Sequence, residues 1–109
     1  MAIELVFHPA IPDDLAGAFA YYDEISKTLA NRFRDNVKAL LTDISERPQS
    51  YPMDVEPIRF GRVKRFPYLV FFVPRTSHVF VIAIFHGASE PRKWRERADQ
   101  ASGDSKEQK

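Results

Sequence analysis

Two runs late in the chain, Tyr-Leu-Val-Phe-Phe-Val at 68–73 and His-Val-Phe-Val-Ile-Ala-Ile-Phe-His at 78–86, are almost continuously apolar. They are short for buried helices and rich in the β-branched and aromatic residues that suit a pleated surface, so they read as strands. The link at 74–77 is short enough to join them as an antiparallel hairpin. A strand that is apolar at successive positions has two faces to bury, and only a central place in a covered sheet satisfies both. Either the chain supplies both covers, or it supplies one and a partner supplies the other.

The first half of the chain supplies one cover. Leu15, Phe19 and Tyr22 recur at helical spacing to about Ile25. Pro12-Asp13-Asp14 opens that stretch well, because proline has no amide to leave unpaired there and the acids face the positive end of the helix dipole. Ser26 and Thr28 are competent N-caps, after which Leu29, Phe33, Val37, Leu40 and Ile44 mark a stronger amphipathic helix ending near Arg47, before Pro48. So short a link makes the two helices an antiparallel hairpin.

Upstream, Ile3, Leu5 and Phe7 alternate along a short strand at 3–8 that Pro9 stops. Pro48, Pro52 and Pro57 make 48–57 a helix-free connection, and 58–63 is a weaker strand interrupted by Gly61. Pro91 can open a short C-terminal helix. The expected fold is α+β in the order β-α-α-β-β-β, with the helical hairpin packed on a small antiparallel sheet. A chain of 109 residues is one domain, expected at 1–97 and followed by a polar, disordered tail at 98–109.

The absence of cysteine excludes disulfide scaffolds, thiol catalysis and zinc fingers, and fits a reducing compartment. The N-terminus has no basic stretch leading into an apolar one, and nowhere do about 18 apolar residues run together, so secretion, membrane spanning and membrane partners are not expected. The four glycines form no phosphate loop, and His8, His78 and His86 lack the spacing of a helical zinc pair. Asp13-Asp14 and Asp23-Glu24 are neighbours that do not face each other on a helix, and they read as caps or solvated acids. No metal, cofactor or catalytic residue is expected.

Charge divides the chain. Residues 1–57 hold five Lys or Arg against ten Asp or Glu, whereas residues 58–109 hold eleven against five, so a net of −5 meets a net of +6. A basic second half can face nucleic acid or an acidic protein segment; an acidic helical face beside a basic sheet edge explains it equally. Arg59, Arg62, Lys64 and Arg65 have no acid among them, which favours a contact role. A second group, Arg92, Lys93, Arg95 and Arg97, surrounds Trp94, an aromatic that anchors a terminal helix or stacks on a base.

In order along the chain stand a strand closed by His8, Ala10-x-x-Asp13-Asp14-Leu15 with Tyr21-Tyr22, Arg32-Phe33, Tyr51-Pro52, Val63-x-Arg65-Phe66-Pro67-Tyr68, Ile82-Ala83-Ile84-x-His86 and Pro91-x-x-Trp94. This pattern resembles the RelE/ParE superfamily of toxins from type II toxin–antitoxin systems, and within it the ParE or plasmid-stabilisation branch, from Ile3 to about Arg97. The resemblance implies a cytoplasmic toxin controlled by a cognate antitoxin, with self-association only through that antitoxin or as a weak homodimer. RelE-like members cleave messenger RNA on the ribosome with several Lys and Arg residues and often a C-terminal Tyr, whereas ParE-like members are gyrase poisons.

Leu69 stands here where an RNase-type member would carry an arginine, and Glu90 and Trp94 stand where it would carry a basic residue and the terminal tyrosine. An indole transfers no proton as a phenol does, and a carboxylate repels a scissile phosphate. The resemblance therefore implies inhibition of DNA gyrase, with RelE-like RNA cleavage as the alternative, for which His86 is the residue suited to acid–base work. Candidate contacts to target or antitoxin are Arg59, Arg62, Lys64, Arg65, His86, Arg92 and Trp94, and direct nucleic-acid contact stays open. One helical hairpin leaves apolar strand area uncovered, so an acidic or amphipathic antitoxin segment is expected over it.

Overall fold

A computed structural model describes residues 2–107. The elements are β1 (Glu4–Phe7), α1 (Ile11–Ile25), α2 (Lys27–Glu46), β2 (Arg59–Arg62), β3 (Tyr68–Pro74), β4 (His78–His86) and α3 (Arg92–Glu107), with a 3-10 turn at Pro48–Ser50 inside the expected helix-free connection. The sheet order is β1-β4-β3-β2, which puts the two apolar strands in the centre. Ser26 separates the helices as expected: its N–H donates to Tyr22 O, closing α1, and its Oγ accepts from Leu29 N, opening α2.

The sheet is mixed rather than wholly antiparallel, because β1 runs parallel to β4. The reason is the path of the helices. They return the chain to the end where β1 begins, where Ile3 N–H donates to Ser45 O at 2.8 Å. Strand β2 thus starts in the direction of β1, and two antiparallel reversals restore that direction in β4.

One face of the sheet buries Val70, Phe72, Val79, Val81 and Ile84 against Tyr22, Phe33, Val37 and Ile44 of the hairpin. Leu15 and Phe19, also expected in this core, are half-buried and line a groove between α1 and α2. The other face buries Phe71, Val73, Phe80, Ile82 and Ala83 against Ile58, Trp94 and Ala98. The chain therefore supplies both covers, and the bare second face expected for an antitoxin is closed by α3 and the 51–58 loop. Helix α3 is also longer than the short one expected: it takes in 98–107 of the polar stretch, and 108–109 lie outside the described residues.

Two ion pairs dock α3. Asp54 accepts from Trp94 Nε1 at 3.0 Å and from Arg95 Nη2 at 2.8 Å, while the Trp94 ring stacks on Phe71 with centroids 4.0 Å apart. Deeper, Arg97 Nη1 donates to Asp14 at 2.7 Å and to Ile82 O at 3.0 Å, and Asp14 also accepts from Ile84 N at 3.0 Å. In the register Phe71 faces Ala83 and Phe72 faces Val81, so Ile82 is the extra residue of a β-bulge. Strand β1 pairs only with residues 78–81 of β4, and the Asp14–Arg97 pair takes up polar backbone groups of the strand beyond it. Asp14, read from sequence as a cap or solvated acid, is thus a buried structural anion with a side chain 6% exposed.

Two outcomes follow for stability. Phe33 is 1% exposed, so Phe33→Ala should lower unfolding free energy by roughly 3–5 kcal/mol in denaturant titration. Arg95, aided by Trp94, holds the Asp54 carboxyl below its ordinary value of 3.8, so the folded state binds that proton more weakly than the unfolded chain. The contribution is complete above that ordinary value and is lost as pH falls through the lower folded one. Unfolding curves in this acid range should lose part of their pH dependence in Asp54→Asn.

Candidate functional site

The sheet end formed by the β2–β3 connection and the last residue of β4 gathers most of the candidate contacts. Arg62 ends β2, Lys64 and Arg65 occupy the turn, and His86 ends β4 opposite Tyr68. Val63 N–H donates to Tyr68 O, Phe66 N–H donates to Val63 O, and Asn36 Nδ2 on α2 donates to Lys64 O at 2.9 Å. Phe66 anchors the turn from below, edge-on to both Tyr22 and Phe33. The backbone is fixed while the charges face outward: Arg62, Lys64 and Arg65 are exposed, and among the described residues none has an acid within 4.0 Å.

Beside the turn lies a cleft of about 370 Å³ lined by Tyr21, Tyr22, Ile25, Pro67, Tyr68 and His86. Tyr21 and Ile25, 59% and 61% exposed, are large hydrophobics left open at the end of α1. Burial pushes the Tyr22 and Tyr68 hydroxyls above the ordinary tyrosine range, and the neighbouring tyrosines add to it. His86 Nδ1 accepts from Ala88 N at 3.0 Å, which leaves Nε2 as the outward nitrogen, and its ring meets Tyr68 edge-on.

The other candidates lie apart or inside. Arg59 donates to Tyr51 O, so it ties β2 to the preceding loop. Trp94 is 5% exposed and packs. Arg92 is exposed at the start of α3 and lies 3.6 Å from Glu90. Tyr21 and Ile25 were missed as surface residues, because their apolar character reads as core on a helix whose 15–22 stretch has no charge. A second surface, the groove of about 400 Å³ between the helices, is lined by Pro12, Leu15, Ala16, Phe19, Phe33 and Arg34.

The chain is thus a small α+β module with a two-sided core and a sheet end that presents exposed cations. The sequence matches the family of ParE toxins of type II toxin–antitoxin systems, parDE, over residues 5–91, and the chain belongs to that family. The fold is similar to a chain of the chromosomal ParDE toxin–antitoxin system from P. aeruginosa, with TM-score 0.68 and 15% identity, covering 78% of this chain and 96% of that one. No curated protein matches the sequence. Membership makes the chain a toxin whose system includes an antitoxin. Among the described residues no helix is long and apolar enough to cross a membrane.

Gly61 positions the strand that carries Arg62. A β-carbon there would lie 2.7 Å from Tyr51 Cε2 and 3.0 Å from Leu40 Cδ1. The Tyr51 ring cannot swing away cheaply, since its hydroxyl donates to Asp43 and its edge meets Phe72. Gly61→Ala should therefore cost about 1–3 kcal/mol of stability in chemical denaturation.

Proposed function

We propose that this toxin binds and inhibits DNA gyrase in the cytoplasm, without covalent chemistry of its own, until a cognate antitoxin neutralises it. The observation that carries the reading is the separation of charge from proton chemistry at the cationic end. Cleaving RNA through its 2′-hydroxyl needs a base, an acid and charge stabilisation at one phosphate. Arg62 pairs in register with Leu69 on the α3 side of the sheet, whereas His86 and Tyr68 lie on the hairpin side. Tyr22 and Tyr68, with raised pKa values, are weakened as acids. Trp94, at the place of an RNase-type tyrosine, is spent on Phe71 and Asp54.

What the end offers instead is interface chemistry, the exposed Tyr21 and Ile25 of the cleft and, in the turn that leads into it, exposed cations with no acid partner among the described residues. The apolar groove between α1 and α2 suits an amphipathic antitoxin segment. Expression without the antitoxin should leave messenger RNA intact and stop gyrase supercoiling. Codon-dependent RNA cleavage that His86→Ala abolishes would overturn this reading in favour of a RelE-like nuclease.

A further inference from the structure

Among the described residues Arg65 is the non-glycine residue with a positive φ, 71°. It holds the third position of the turn over 63–66, closed by Phe66 N–H on Val63 O at 3.2 Å, where left-handed backbone favours glycine or asparagine. Its side chain returns nothing to the fold: it is exposed, with no acid within 4.0 Å and no hydrogen bond among the described residues. Arg47, Arg95 and Arg97, by contrast, each bind an aspartate. The fold imposes the left-handed backbone but makes no use of the arginine placed on it, and a strained residue type that the packing does not use points to a contact outside the chain.

The surroundings say what kind of contact. Lys64, beside Arg65 in the turn, is also exposed with no acid within 4.0 Å among the described residues, and Pro67, two residues beyond Arg65, lines the cleft where Tyr21 and Ile25 stand open. A nucleic-acid strand would use the cations and give Ile25 and Pro67 nothing to do. Aromatic and aliphatic anchors beside arginine are the anatomy of a protein-binding hot spot. We infer that the 63–66 turn and the Tyr21/Ile25 cleft together dock an acidic protein segment bearing an apolar anchor, with Arg65 held in the left-handed region to meet a carboxylate of that segment. The identity of the segment's owner, gyrase, rests on the proposed function; its chemistry does not.

The test is Arg65→Gly and Arg65→Asn in the full chain, the second because asparagine tolerates this backbone without glycine's entropy cost. Both should melt about 2–4 °C higher and inhibit gyrase supercoiling at least about tenfold more weakly. A variant that inhibits like the parent, or a pair that melts no higher, overturns the inference. So does a parent affinity for duplex DNA that Arg65→Gly removes, which would assign the surface to nucleic acid. If the parent leaves gyrase untouched, the gyrase reading fails by itself and growth arrest becomes the readout. A more stable Arg65→Gly that no longer arrests growth then supports the docking surface, and one that arrests it fully overturns it.

Discussion

Strand β4 imposes the constraint on which this structure depends. It is apolar on both faces, and β1 pairs with only its first half. The chain answers by placing the helical hairpin on one face and α3 on the other, then setting one buried ion pair where the bulge at Ile82 leaves the ladder irregular. Asp14 comes from the first turn of α1 and Arg97 from α3, so a single contact joins both covers to the strand they cover. A charge pair this buried recovers its desolvation only when its remaining hydrogen bonds are made. Here Ile82 O and Ile84 N make them, and the Arg97 guanidinium lies 4.7 Å over the Phe85 ring.

Much of this was legible in the sequence, since periodicity reports burial. The stripes of α1 and α2, the Ser26 boundary and the β3–β4 hairpin follow from spacing and turn chemistry within a few residues of one another. Partnerships across the chain left weaker marks. Asp14 to Arg97 and Asp54 to Arg95 join residues 83 and 41 positions apart, and local pattern carries no such pairing. The bulge was hidden because a strand apolar at every position shows no break in alternation. Helix α3 was underestimated because its apolar side is little more than Trp94 and Ala98, which a reading tuned to Leu and Val stripes passes over.

The candidate site was legible as composition and illegible as geometry. Four basic residues without an acid announced Arg59, Arg62, Lys64 and Arg65, yet the fold turns Arg59 to a backbone carbonyl and leaves the others with no acid within 4.0 Å among the described residues. Trp94, readable both as a helix anchor and as a contact, is the anchor. What the fold adds is neighbourhood: the α1–α2 junction, the end of the β2–β3 connection and the end of β4 meet at one place, so Tyr21 and Ile25 join Pro67, Tyr68 and His86, far from them in sequence. The Phe66 anchor beneath the turn ties this end of the sheet to the aromatic core.

The central claim is that the chain covers the second face of its own sheet with α3, and the single tryptophan reports on it directly. In the isolated, folded protein the account predicts blue-shifted Trp94 emission, little quenching by iodide, and loss of that signal in the same cooperative transition that melts the sheet. A red-shifted, freely quenched tryptophan in a chain whose sheet is still folded would contradict it.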